Sequence, residues 1–268
     1  MQRDNFSDLA DPALLQAVAA KAERAARFLR AAGRDYAPVV FANSLGAEDM
    51  VLTDLIWGQK DEPIDIGIFS LDTGRLPAET CALIAAAERH YGRRLDVFYP
   101  ERQSVEALVA THGIDGFYDS VEARKSCCAT RKVEPLRRAL AGKKAWVTGL
   151  RAAQSPTRET LKPVSFDTVF NLVKLNPLAD WSEDEIWAYL QVHRVPYNAL
   201  HDRNYPSIGC APCTRAVKPG EDVRAGRWWW ESPATKECGL HVVDGRLQSV
   251  AASHAAVEAT ADRVPAAA

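Results

Sequence analysis

The chain has 268 residues, 47% of them hydrophobic and 25% charged, with a formal net charge of −2. These are the proportions of a globular chain with room for one large α/β domain or two small ones, and the near-neutral balance excludes a global nucleic-acid-binding surface, so any anion site has to be local. No apolar run approaches the roughly 18 residues of a membrane span and "MQRDNFSDLADPALLQ" lacks an apolar signal core, so a cytoplasmic location is expected, where cysteines are more often metal ligands or catalysts than disulfides.

In chain order, Asp11-Pro12 and the apolar-periodic run to Gly33 predict a helix with an aspartate N-cap, proline in its first turn and glycine at its end. Short apolar runs follow at 37–42, 64–71 and 94–99, each leading into a helical pattern, and a fourth at 144–150 follows a helix that carries "CCATRKVEPLRRALAG". Runs apolar nearly throughout are those of strands buried on both faces, and their alternation with helices predicts a parallel sheet covered on both sides. Beyond residue 150, "RAAQSPTRETLKP" reads as a loop and "VSFDTVFNLVKLNPL" as one or two strands. "WSEDEIWAYLQVHRV" reads as a helix with a Ser182–Glu185 capping box and Trp181 stapled onto Ile186. The expected organisation is an N-terminal helical segment (1–35), an α/β body (36–215) and a C-terminal segment (216–268).

Ligands of open parallel sheets bind at the carboxyl ends of the strands. Three loops there are candidates: "NSLGAED" (43–49), "SLDTGRLP" (70–77) and "TGLRAAQSPTR" (148–158), the last with Arg151 and Arg158. Together they favour a nucleotide-like anion, although the first lacks the G-K-[ST] of a Walker loop.

The cysteines divide. Cys81 falls on the apolar stripe of "ETCALIAAAERH" and is expected in the core. Cys127-Cys128 and the C-x-x-C of Cys210 and Cys213 are two tight pairs from distant parts of the chain, a metal or cluster pattern. Adjacent ligands suit an iron–sulfur cluster better than tetrahedral zinc; zinc, or a redox dithiol at Cys210 and Cys213, stays open on spacing alone. Cys238, near Lys236 and His241, has no partner and is a candidate nucleophile. In "RAGRWWWES" the three consecutive tryptophans cannot all face one core, and Arg224 and Arg227 are spaced to hold an anion.

"LGAEDMVL", "LDTGRLPAET", "SCCATRKVEPL", "TGLRAAQSPTR", "YPSIGCAPCTR", "GRWWWE" and "ECGLH" occur in an order that resembles the assimilatory sulfonucleotide reductases, over about residues 37 to 241. The resemblance implies a Rossmann-like adenine nucleotide α-hydrolase fold and reduction of adenosine 5'-phosphosulfate to sulfite and AMP. By that resemblance Cys238 attacks the sulfur to form an S-sulfocysteine, and thioredoxin or glutaredoxin releases sulfite. It further implies a [4Fe-4S] cluster on Cys127, Cys128, Cys210 and Cys213, with Lys132 between cluster and substrate. Arg224 and Arg227 match the pair near the phosphosulfate, Arg158 matches a substrate arginine, His241 matches the histidine of the ECGLH motif, and Leu71, Thr73 and Gly149 match positions around the adenosine. Ser44 completes the substrate set, although Asn43-Ser44-Leu45-Gly46 stands where cluster-bearing members often have S-F-S-G, which displaces the serine by one position. A homo-oligomer is expected. The alternative is the 3'-phosphorylated substrate, or both. An ATP-dependent sulfur transferase acting on RNA would want an S-G-G-K-D-S-like loop, which is missing, and a zinc-binding module is the third reading.

Overall fold

In a computed structural model that describes residues 11–59, 62–154, 161–232, 242–243 and 246–247, helix α1 (Pro12–Asp35) begins as its sequence predicts. Asp11 Oδ1 accepts from Ala13 N at 3.0 Å, and Pro12 sits where a backbone N–H would have no helical partner. Gly33 does not end it. A Cβ there would lie 3.2 Å from the Asp65 carbonyl oxygen, so the glycine permits close approach to the segment leading into the sheet, and the helix runs on to Asp35.

The four apolar runs form strands β1 (Val39–Ala42), β2 (Gly67–Leu71), β3 (Asp96–Phe98) and β4 (Ala145–Val147). The ambiguous stretch after residue 163 resolves into a hairpin, β5 (Val164–Asp167) and β6 (Leu172–Leu175). The sheet order is β3-β2-β1-β4-β6-β5, parallel at every pairing except β5 with β6. Strand order reverses between β1 and β4, so the crevice for a ligand opens at their carboxyl ends.

Alternate residues of the central strands face different layers. Val39, Phe41, Ile68, Ala145, Val147 and Leu175 join a core with α1, α2 (Ala47–Trp57), α3 (Ala78–Tyr91) and α7 (Glu183–Val192). Val40, Phe69 and Trp146 face α6 (Glu134–Leu140) through Leu136, Ala139 and Leu140. Helix α4 (Arg102–His112) has no fully buried residue. Asp54 draws α2, α3 and α7 together, accepting from Tyr91 Oη at 2.9 Å and Tyr189 Oη at 2.7 Å; burial, with the carboxylate beside them, pushes both phenols upward. Cys81 is exposed rather than in the core. The buried stripe of α3 runs through Thr80, Leu83 and Ala87, and the neighbouring position is turned aside by about 100°.

The helix expected to carry both adjacent cysteines is not one regular helix. It is α5 (Val121–Cys128), a wide π turn over Ala129–Val133, then α6. The C-terminal segment contributes an antiparallel pair, β7 (Val242–Val243) with β8 (Arg246–Leu247). No helix among the described residues is long and apolar enough to cross a membrane.

The capping box of α7 is formed: Glu185 N donates to Ser182 Oγ at 3.1 Å, and Ser182 N to Glu185 Oε2 at 2.7 Å. Trp181 and Ile186, the expected staple, are both buried in the main core. Glu185 Oε2 also receives Lys21 Nζ of α1 at 2.7 Å. Ser182→Ala is therefore expected to lower stability by about 1 kcal/mol. Glu185→Ala should lower it further, because it also leaves the Lys21 ammonium, only 21% exposed, without its carboxylate. Urea denaturation of the two variants checks the order.

Candidate active site

Ser120 caps α5, accepting from Ala123 N at 3.0 Å, and the helix then delivers Cys127 and Cys128 at its last turn. Neighbours on a regular helix diverge by about 100°. The π turn that follows inserts an extra residue just there and re-aims Arg131 and Lys132, a feature that recurs at functional sites. The second pair lies on a short turn, where Cys213 N donates to Cys210 O at 2.9 Å and Thr214 Oγ1 to Cys210 O at 2.9 Å.

The loop after β2 brackets the two pairs. Thr73 Oγ1 lies 3.2 Å from Cys210 Sγ, the Thr73 carbonyl accepts from Arg131 at 2.8 Å, and the Arg75 carbonyl accepts from Ala211 N at 2.8 Å. One cavity is lined by all four thiols with Arg75 and Lys132. Burial pushes the Cys213 thiol up to about 12, and Cys210, Cys128 and Cys127 add to the shift. Burial also raises Cys127, against the Arg131 guanidinium, which lowers it. Four thiols that disfavour each other's ionisation, inside a ring of cations, are a donor set that fits a group carrying positive charge. Among the described residues no three His, Cys, Asp or Glu side chains converge on a single-ion site.

The tryptophans part as expected. Trp228 is 2% exposed, with Arg124 and Arg227 over its ring at 4.8 and 4.7 Å. Trp230 packs on Tyr118, with ring centroids 4.4 Å apart, and Trp229 is exposed. Arg227 also reaches Ile208 O at 3.3 Å and crosses Gly209, where a Cβ would come within 2.4 Å of the guanidinium. Arg224 is half-buried, and its backbone N–H donates to Asp222 Oδ1.

At the crevice between β1 and β4, Asp49 is the organising group. Its Oδ2 accepts from both the N–H and the hydroxyl of Ser44 at 2.6 Å, and its carboxylate also takes the Gly149 N–H. A Cβ on Gly149 would fall 2.0 Å from Asp49 Oδ1, so only glycine fits there. Ser44 is thus engaged with Asp49. Arg151 is no open anion site either: it is 7% exposed and pairs with Glu48 at 2.8 Å. Leu71 is half-buried at the end of β2. Of the sequence-predicted residues, the four cysteines, Lys132 and Thr73 come together, Arg227 borders them, and Ser44 and Gly149 meet at the crevice. Arg158, Cys238 and His241 lie outside the described residues. Sequence reasoning missed Arg75, Arg124, Arg131, Asp49 and Glu231; only Arg75 and Asp49 stood inside loops already singled out.

The phosphoadenosine phosphosulfate reductase domain model matches residues 38–216. A protein of Allochromatium vinosum named adenosine 5'-phosphosulfate reductase is 61% identical over 208 residues, covering 78% of this chain and 80% of that protein. One of the same name from Burkholderia cepacia is 54% identical over 230 residues, covering 86% and 91%. Among solved structures, the phosphoadenylyl-sulfate (PAPS) reductase from Candida auris in its phosphate complex superposes with a TM-score of 0.61 at 24% identity, over 75% of this chain and 97% of that one, a likeness of fold.

Burial raises Asp49 from its ordinary 3.8 to about 7 against the Ser44 hydrogen bonds. Between those values the folded chain binds a proton that the unfolded chain releases. The stabilising contribution is therefore present at low pH and is lost as pH rises from about 4 to about 7, at up to roughly 1.4 kcal/mol per unit. Asp49→Asn is expected to be less stable at pH 5, because its amide NH2 faces donors, and to lose this slope. Denaturant unfolding at several pH values compares the two, and equal slopes would refute the titration.

Proposed function

The chain belongs to the phosphoadenosine phosphosulfate reductase domain family, and from that premise we propose that it reduces adenosine 5'-phosphosulfate to sulfite and AMP, with a protein dithiol such as thioredoxin or glutaredoxin as reductant. The observation that carries this reading is that Cys127-Cys128 and Cys210-x-x-Cys213, over 80 residues apart, line one cavity beside Lys132. A cytoplasmic homo-oligomer is part of the same reading.

In the proposed reaction the Cys238 thiolate attacks the sulfur of the sulfonucleotide. The S–O bond breaks, its electron pair leaves on the AMP phosphate oxygen, and Cys238 becomes an S-sulfocysteine. A thiolate of the reductant then attacks the Cys238 sulfur and sulfite departs with the electron pair of the S–S bond. The reductant's second thiol resolves the mixed disulfide and frees Cys238. Two thiols are oxidised to one disulfide and one sulfonucleotide is reduced, so the electrons balance.

Lys132, Arg158, Arg224, Arg227 and His241 form the cationic side that meets the phosphosulfate, where negative charge grows on the leaving oxygen. Leu71, Gly149 and Ser44 belong to the adenosine side, Ser44 through Asp49 rather than by a hydroxyl of its own, whereas Thr73, matched to an adenosine position, turns its hydroxyl to Cys210. Cys127, Cys128, Cys210 and Cys213 would hold a [4Fe-4S] cluster, which when bound supplies fixed charge beside the substrate and ties the two cysteine segments together. Arg131 at Cys127, Arg124 at Cys128 and the Thr73 hydroxyl at Cys210 are this chain's own groups for orienting those ligands.

Protein purified without oxygen is expected to carry about four irons and as many acid-labile sulfides per chain, and to lose both in Cys213→Ser. Stoichiometric zinc without iron would replace the cluster by the zinc reading. Cys238→Ser should keep its iron and form no S-sulfo adduct by intact-mass measurement. Initial rates should favour adenosine 5'-phosphosulfate over its 3'-phosphorylated form by at least ~10-fold in kcat/KM, on the order of 1.4 kcal/mol in transition-state binding. Equal efficiency overturns the substrate assignment.

A further inference from the structure

Arg124 and Glu231 form the most deeply buried ion pair among the described residues, with side chains 1% and 3% exposed. The contact is bidentate: Nε donates to Oε1 and an Nη to Oε2, each at 2.8 Å. Such a pair is poor evidence for stability, because desolvating two charges offsets most of their attraction; its best-attested use is to fix one arrangement of the chain. Here the partners are 107 residues apart. Arg124 lies on α5, one turn before Cys128, and hydrogen-bonds the Cys128 sulfur. Its guanidinium also lies over Trp228. Glu231 closes the turn that Trp228 opens, its N–H donating to the Trp228 carbonyl at 2.9 Å, and Trp228 N in turn donates to the Cys213 carbonyl at 3.1 Å. One guanidinium therefore touches a member of the first cysteine pair, the tryptophan fixed to the second, and a carboxylate seven residues before Cys238.

We propose that the Arg124–Glu231 pair is a positioning device that pins the base of the C-terminal segment to the four-thiol site and so sets the reach of Cys238. This rests on the reading of Cys238 as nucleophile. Cys238 follows Glu231 by seven residues, a tether of at most about 25 Å when fully extended. With Glu231 fixed, the tether to the thiol starts beside the four-thiol site and is seven residues long. With it released, the tether lengthens by the whole Trp228–Glu231 turn, and fewer conformations present the thiol to a bound sulfonucleotide.

Two variants of the anaerobically purified, iron-containing protein test this. Glu231→Gln keeps shape and removes the charge. Arg124→Met with Glu231→Met removes both charges, so that neither is left buried alone. Each is read in two ways: the rate of trypsin cleavage after Lys236, which does not depend on any reaction, and the single-turnover rate of S-sulfo adduct formation at Cys238, with iron content and AMP affinity measured alongside. Expected are cleavage at least ~5-fold faster and adduct formation roughly 2-fold slower in both variants, with AMP affinity unchanged in both and iron unchanged in Glu231→Gln, which leaves the Arg124 contact to Cys128 in place. Cleavage and adduct formation at wild-type rates in the double variant overturn the proposal, as does a slowing in Glu231→Gln matched by equal loss of iron and of AMP binding. If wild type forms no adduct at Cys238, the nucleophile reading fails, and the cleavage rates still decide whether the pair anchors the segment.

Discussion

Four thiols in one desolvated cavity disfavour one another's ionisation, and that repulsion is the constraint to which the rest of the site answers. Cys213, pushed up to about 12 by burial and by its three neighbours, expresses it most clearly. Nothing in the free thiols draws them together, so the backbone must. The loop after β2 does so with three contacts from two residues: the Thr73 carbonyl to Arg131, the Thr73 hydroxyl to Cys210 and the Arg75 carbonyl to Ala211. The same loop is rigid for a local reason. Gly74 takes a φ of +70°, and its N–H donates to Asp72 Oδ1 at 2.8 Å, closing a tight turn at the strand's end.

Charge is divided across the sheet's carboxyl edge. The first turn of α2 carries Glu48 and Asp49, which face the positive end of their own helix and take up the Ser44 N–H, the Gly149 N–H and Arg151. Among the described residues of that side, the guanidinium of Arg151 is already taken by Glu48. Arg75, Arg124, Arg131 and Lys132 gather instead at the thiols. In the proposed reaction the adenosine would lie toward β1 and β4 and the phosphosulfate toward the cations at α5. A shift of either acid to the other end would place like charge against the leaving group.

The strands were legible because their apolar runs are short, β-rich and bounded by turns, and α7 was legible because its capping box is a local pattern. The cysteine pairs were legible as chemistry, since adjacency and C-x-x-C spacing are themselves the signal. Other features had no local signature. The π turn after Cys128 depends on what the loop after β2 offers to Arg131, and no periodicity in "CCATRKVEP" marks it. Gly33 looked like a terminator because a glycine near a helix end usually is one, whereas its role here is to admit a carbonyl from 32 residues downstream. Arg151 looked like an anion ligand until Glu48, 103 residues away in sequence, met it. In each case the deciding partner is distant in the chain, and single-sequence reasoning sees only near neighbours.

The displaced serine of the first loop follows from packing. Leu45 has a φ of +64°, an unfavourable conformation for a branched apolar residue, yet its side chain is 1% exposed in the main core. Two things hold it there: the burial of a leucine, about 2 kcal/mol, and the Asn43 side chain, whose Oδ1 accepts from Leu45 N at 2.6 Å while Nδ2 donates to Thr53. A serine at this position would lose that burial and turn a hydroxyl into the core. The loop's one hydroxyl is therefore Ser44, and Asp49 already engages it. The group that fixes the shape of this loop is therefore the buried side chain of Asp49, which holds Ser44 by its N–H and its hydroxyl, rather than the serine itself.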